Sequence, residues 1–81
     1  MGAAESLIEL DLRSLAPARR HARIFELWHS LEPGETLRLT NDHDPKPLRY
    51  QFEVEEAGKF EWLNERQGPL DWIVRIKRLK K

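Results

Sequence analysis

Between Leu7 and Thr40 the spacing of apolar residues changes twice, and that change limits the chain to few folds. Ile8, Leu10 and Leu12 alternate with Glu9, Asp11 and Arg13, the period of a half-buried strand. After a short connection, Pro17 suits the first turn of a helix, and Ile24, Leu27, Trp28 and Leu31 then fall at i, i+3, i+4 and i+7 along one helical face. Glu32-Pro33-Gly34 ends that helix, and Leu37 and Leu39 within Thr36 to Thr40 restore the alternating period. Strand, helix and strand within about 35 residues predict a βαβ unit with a right-handed crossover and parallel strands. In such a unit the start of the helix and the end of the second strand meet at one edge of the sheet. That carboxyl edge is where α/β proteins usually bind ligands.

The second half is less uniform. Leu48, Tyr50, Phe52 and Val54 alternate and by period alone read as a strand. The flanks favour a helix over residues 46–57: Asp44 is a good N-cap ahead of Pro45 at the first helical position, and Glu55-Glu56-Ala57-Gly58 ends like a helix with a terminal glycine. A third strand holds Phe60 and Trp62, Gln67-Gly68-Pro69 turns the chain, and Leu70, Trp72, Val74 and Ile76 form a fourth strand. The order β-α-β-α-β-β predicts an α/β, two-layer sandwich with a four-stranded mixed sheet and both helices on one face. Trp28, Trp62, Trp72, Phe25 and Phe60 are the bulky candidates for the space between the layers, and Lys77 to Lys81 are expected to fray.

At 81 residues the chain has room for one domain, ordered over about residues 6–78, and for no large buried cavity. With 14 basic and 14 acidic residues its net charge is zero, so no global field favours nucleic acid or an anionic membrane. There is no cysteine, which removes disulfides, thiolate metal ligands, iron–sulfur clusters and nucleophilic thiols together. No apolar run approaches the roughly 20 residues of a spanning helix, and the N-terminus has no secretory pattern, so a cytoplasmic monomer is expected. The Met1-Gly2 start with Ser6 resembles a myristoylation signal too short to carry weight.

The run Asn41-Asp42-His43-Asp44-Pro45 is unlike any element of a packed core, and the βαβ geometry puts it at the carboxyl edge. His21 shares a helical face with Ile24 and Trp28 and is expected to point toward the sheet near His43. His21 and His43, with Asp42 or Asp44 as ligand or orienter, form a candidate site for Zn²⁺, Fe²⁺ or Cu²⁺. Arg19, Arg20 and Arg23 decorate the outer or N-terminal part of the first helix and, with Arg49, offer an anion site at the same edge or else a solvated face. Local explanations also exist: Asp44 as a helix cap, Asn41 and Asp42 as turn-closing side chains, His43 in the same network and His21 at a boundary. His29 reads as surface. Neither Ser14 nor Ser30 has an evident base, and no phosphate loop or pair of catalytic acids stands out, which argues against an enzyme. The basic end, Arg75, Lys77, Arg78, Lys80 and Lys81, lacks interleaved aromatics and makes RNA the weakest partner.

Taken together, Leu10-Asp11-Leu12-Arg13, Arg20-His21 with Ile24-Phe25, Pro33-Gly34-Glu35, Asn41 to Pro45, Tyr50-Gln51 and Gly68-Pro69 with Trp72 resemble an uncharacterised bacterial family. It is the domain of unknown function numbered 2249, a relative of the TusA/SirA sulfur carriers, and the resemblance runs from about Leu7 to Ile76. It implies a TusA/SirA-like fold, with a helix after Pro45. Carriers of that type hold persulfide on the cysteine of a Cys-Pro-x-Pro motif, where this chain has Leu15-Ala16-Pro17-Ala18-Arg19 and no thiol. Association of family members with hemerythrin-like iron proteins implies a redox or metal context. The reading reached is a non-enzymatic interaction module with a ligand or partner site on Arg20, His21, Asn41, Asp42, His43, Asp44 and Arg49. A metal or redox-cofactor domain using His21 and His43 is the alternative, and an RNA-binding module the third.

Overall fold

The structure, a computed structural model, describes residues 6–79. The Met1-Gly2 start and the last two lysines lie outside them. The chain runs through β1 (Leu7–Asp11), a 3-10 turn (Leu12–Ser14), α1 (Pro17–Ser30), β2 (Thr36–Asn41), α2 (Lys46–Glu55), β3 (Phe60–Gln67) and β4 (Trp72–Arg78). The strands lie in the order β1-β2-β4-β3, with β1 and β2 parallel and the other pairs antiparallel. This is the expected mixed sheet of a two-layer α/β fold.

Element boundaries depart from the sequence reading where side chains intervene. Leu12 continues the β1 alternation but leaves the sheet, because the Asp11 carboxylate accepts from the Arg13 backbone N–H at 3.0 Å and turns the chain. At the other end β4 continues through Arg78, so the fraying expected from Lys77 does not begin there. The Arg78 carbonyl accepts from Gly34 N–H at 2.7 Å, and its guanidinium donates to the Trp28 carbonyl and lies over the Trp28 ring.

The helix after Pro45 forms as expected. Leu48 and Phe52, one turn apart, are buried, while Tyr50 and Val54 are 69% and 62% exposed, so the alternation conceals an i, i+4 stripe. Phe52 is fully buried at the centre of the core. Its ring stacks on Phe25 at 4.8 Å and meets Trp28, Phe60 and Trp62 edge-on between 5.0 and 6.0 Å. Leu37, Leu39, Val74 and Ile76 form the sheet's contribution on the same face.

Trp72, expected among these rings, is not part of the core cluster. It faces the helices by parity, but it is the first residue of β4, at the edge of the sheet, and its indole lies on the backbone of Gly68. A Cβ at Gly68 would sit 2.7 Å from Trp72 Cζ2, and φ there is +79°, so glycine is required on both counts.

Among the described residues the other face of the sheet carries no helix, and it is tied by charge. Arg38 donates to Glu9 and, through two nitrogens, to Glu65, and Glu65 also accepts from Arg75, so one ionic ladder crosses all four strands. Glu65 reaches this face by alternation after Glu61 and Leu63, and a register shift lies between Asn64 and Arg66. Among the described residues no helix is long and apolar enough to cross a membrane.

Two outcomes follow for stability. Phe52→Ala should cost about 3–5 kcal/mol in urea denaturation, since it removes the ring around which the other aromatics meet. Hydrogen bonds from Arg38 and then Arg75 hold the Glu65 carboxyl down to about 2, from an ordinary 4.5. Because the folded-state value is depressed, Glu65 stabilises the fold fully above about 4.5, and that contribution is lost as pH falls toward 2. Glu65→Gln should therefore flatten the fall of the urea midpoint across this window; a slope identical to that of the parent would remove the ladder from the account.

Candidate functional site

The buried charge at the carboxyl edge is Arg20, and the site is built around it. Arg20 is 7% exposed, so of the two expectations for Arg19, Arg20 and Arg23, an anion site at the edge or a solvated face, the solvated face fails at Arg20. The correction has a simple physical origin. Arg20 lies at i−4 from Ile24 and i−8 from Trp28, on the buried stripe itself, and its long side chain carries the guanidinium to the sheet edge. There Nε donates to the Leu15 carbonyl at 3.0 Å, Nη1 to Asn41 Oδ1 and Asp42 Oδ1 at 2.9 Å each, and Nη2 to Asp42 Oδ2 at 3.2 Å. Arg19 and Arg23 are exposed, and Arg23 pairs with Glu26.

From Arg20 the order passes along the motif. Asn41, the last residue of β2, is buried, and its Oδ1 also accepts from the N–H of the next residue, Asp42, at 2.8 Å. Asp42 is gripped by both nitrogens of the guanidinium fork, which is the strong form of this contact. Hydrogen bonds from Arg20 and then from His43 hold its carboxyl well below the usual carboxylate range, against the opposing effect of desolvation. Asp42 Oδ1 lies 2.8 Å from His43 Nδ1. An ionised carboxylate only accepts, so His43 donates from Nδ1, and Nε2 has no partner among the described residues. The imidazole is exposed yet fixed in orientation.

His21 does not point into the sheet as expected. It is exposed and reaches sideways to α2, where Nδ1 lies 3.0 Å from Gln51 Oε1, and Gln51 Nε2 donates to Glu55 Oε2 at 3.2 Å. The amide is thereby oriented with its oxygen toward His21, and Nδ1 donates. His21 and His43 nonetheless line one cavity of about 120 Å³, walled by Pro17, Arg20, Asn41 and Pro45. The Asp42 carboxylate is committed to Arg20 and His43. Among the described residues no group of three or more histidine, aspartate or glutamate side chains is placed to hold a metal ion.

Asp44 does not cap α2. The N-cap position is Pro45, without a side-chain cap, and the helix begins at Lys46. A cap is less needed here because Pro47 in the first turn has no N–H to satisfy. Arg49 is separated from Arg20: it pairs with Glu53 at 3.2 Å and lies 5.8 Å from the Trp62 ring centre, lining a second cavity with Asp44. His29 is exposed, as expected, with Nε2 3.5 Å from Glu56. In the basic end, Arg75 and Arg78 are committed to Glu65 and Trp28, which leaves less of a free basic stripe than the sequence offered.

The sequence reading did not find Gln51 or the Leu15 carbonyl. Gln51 had a signal, since it follows Leu48 by three residues and so flanks the buried stripe of α2. The carbonyl had none.

Arg20→Met should return the Asp42 carboxyl toward the ordinary value of 3.8, read from its carboxyl-carbon NMR titration in the folded protein. Arg20→Lys, which keeps the charge without the fork, should leave it between the two. An Asp42 titration unmoved in both variants would show that the guanidinium is not its cause.

No curated protein and no solved structure matches the chain. The family model described as an uncharacterized conserved protein, DUF2249, matches residues 9–78. With nearly its whole length matched, and with the Arg20–Asn41–Asp42–His43 edge inside the match, the chain belongs to the DUF2249 family.

Proposed function

We propose that this protein is a small non-enzymatic accessory module that uses its carboxyl edge to engage another protein. The observation that carries this reading is the relay from the Leu15 carbonyl through buried Arg20 to Asp42 and on to His43. It fixes the tautomer and direction of an exposed imidazole on a rigid support, which is the preorganisation that recognition favours. The adjoining cavity of about 120 Å³ is well below the roughly 300–1,000 Å³ of sites that enclose a drug-sized ligand. In this reading the two-layer sheet is a TusA/SirA-like fold whose carrier position, Leu15-Ala16-Pro17-Ala18-Arg19, has no thiol. Its loop serves instead to hold Arg20. The partner class we favour is a hemerythrin-like iron protein or another redox protein, met by Arg20, His21, Asn41, Asp42 and His43, with Asp44 and Arg49 beside them.

One observation favours a second reading, a metal or redox-cofactor site on His21 and His43. Both imidazoles line the same cavity, and both use Nδ1 for hydrogen bonds to protein, leaving Nε2 for a ligand.

The two readings separate in one amide and imidazole NMR series. Titration with a hemerythrin-like protein from the same genome should shift Asp42, His43 and their neighbours and lose those shifts in His43→Ala. Zn²⁺, Fe²⁺ or Cu⁺ shifting His21 and His43 without the partner, and failing in either alanine variant, would put the metal reading first. A turnover that depends on His43 would sink the accessory reading.

A further inference from the structure

Pro45 separates the His21–His43 cavity from a second one of about 230 Å³ at the same edge of the sheet. Trp62 and Trp72 are part of its wall, and both indoles are fixed by the protein. Trp72 lies on Gly68, as described above, and Trp62 Nε1 donates to Asn64 Oδ1 at 3.0 Å. Among the described residues no ring stacks on Trp72, which is only half buried. Around the indoles stand polar groups of several kinds: the Asn64 and Gln67 amides, the Lys46 ammonium, the Arg49 guanidinium and the Asp44 carboxylate. The side chains of Asp44, Lys46 and Gln67 have no hydrogen bond or ion pair with any described residue.

We infer that this cavity binds a nucleobase carrying a phosphate, with the base against Trp72 and the phosphate toward Lys46 and Arg49. Three features of the wall select this chemistry. A fixed, half-buried indole is a stacking surface for any planar ring. Two amides and a carboxylate offer both donors and acceptors to a ring edge. The Lys46 ammonium, which has no carboxylate partner among the described residues, favours an anionic group at the rim, with Arg49 beside it sharing its charge with Glu53, while Asp44 disfavours a bare anion and Lys46 and Arg49 disfavour a quaternary ammonium ion between the indoles. The volume, below the roughly 300–1,000 Å³ of an enclosing site, suits one ring system with sugar and phosphate left at the mouth. None of this uses His43, so the inference stands or falls apart from the partner reading. The same chemistry is presented by a free mononucleotide and by an unpaired base in a single strand.

The test follows the Trp72 indole N–H by NMR while adenosine, guanosine and uridine monophosphates, the corresponding nucleosides, inorganic phosphate and a short single-stranded oligonucleotide are added in turn. Saturable shifts with at least one monophosphate or with the oligonucleotide, weaker shifts with the matching nucleoside and none with phosphate alone are expected. Comparable affinity for monophosphate and oligonucleotide assigns the free nucleotide as the source, and markedly tighter oligonucleotide binding assigns the single strand. Trp72→Ala should weaken binding roughly five- to a hundredfold, followed on the Trp62 indole. Because that change also removes the Gly68 contact, Lys46→Gln, at an exposed position, serves as the second variant and should abolish the preference for monophosphate over nucleoside. Absence of a saturable shift with every nucleotide and the oligonucleotide, or an unchanged preference in Lys46→Gln, overturns the inference. Saturable binding of indole acetate with no response to nucleotides overturns it as well.

Discussion

A guanidinium cannot be taken out of water without partners for its donors, and this requirement at Arg20 organises the functional edge. The partners come from three places in the chain: the Leu15 carbonyl before α1, Asn41 at the end of β2, and Asp42 in the loop that follows. One side chain therefore fastens the start of the crossover helix to the end of the strand it leads into. A buried charge pair is often close to neutral for net stability, because desolvation offsets attraction. Its effect here is on geometry. With Asp42 held on both oxygens, the His43 ring has one acceptor to meet, and the exposed end of the motif inherits the order of its buried end.

The two faces of the sheet are stabilised by different physics, and one irregularity in β3 decides on which face the end of that strand places its side chains. On the helix face, Phe52 gathers rings from α1 and β3 into an apolar centre. On the open face, Glu9, Arg38, Arg75 and Glu65 neutralise one another in a row that runs across the strands. Glu65 joins that row by alternation after Leu63, and beyond the register shift between Asn64 and Arg66 pairing resumes so that Gln67 stands opposite Trp72. Without the extra residue, alternation would carry Glu65 and Gln67 onto one face. The bulge thus turns Gln67 to the helix face, where its amide joins the wall of the tryptophan-lined cavity.

What was legible in the sequence was whatever repeats. The periods of β1, α1 and β2 identified the crossover, and the crossover alone placed the Asn41–Pro45 motif and the start of α1 at one edge. Proline and glycine at its two ends decided α2 against a misleading alternation, since Leu48 and Phe52 satisfy both periods. The errors concern single side chains whose environment depends on tertiary reach. Arg20, expected with Arg19 and Arg23 at an anion site or on a solvated face, shares the buried stripe of Ile24 and Trp28. Asp44 was assigned to a cap by its position before proline, while the helix starts later and needs that cap less. Trp72 was assigned to the core by parity, which holds, but parity does not say where along a strand the covering layer ends.

The motif itself acquires its meaning from these corrections. Asp42 and His43 belong with Arg20 and Asn41 on one side of Pro45, whereas Asp44 belongs with Lys46, Arg49 and the two indoles on the other. Four of these five consecutive residues line two neighbouring cavities of unlike chemistry, one presenting imidazole nitrogens and the other aromatic faces and cations, and Asp42 orients His43 from behind. Proline at the division is physically apt, because its ring fixes φ and its missing N–H leaves no donor to be satisfied where the chain passes from strand to helix. A single mobile loop could not hold both arrangements at once. A short, proline-stiffened one, anchored at one end by Arg20 and continued at the other as α2, holds each side chain to its own cavity.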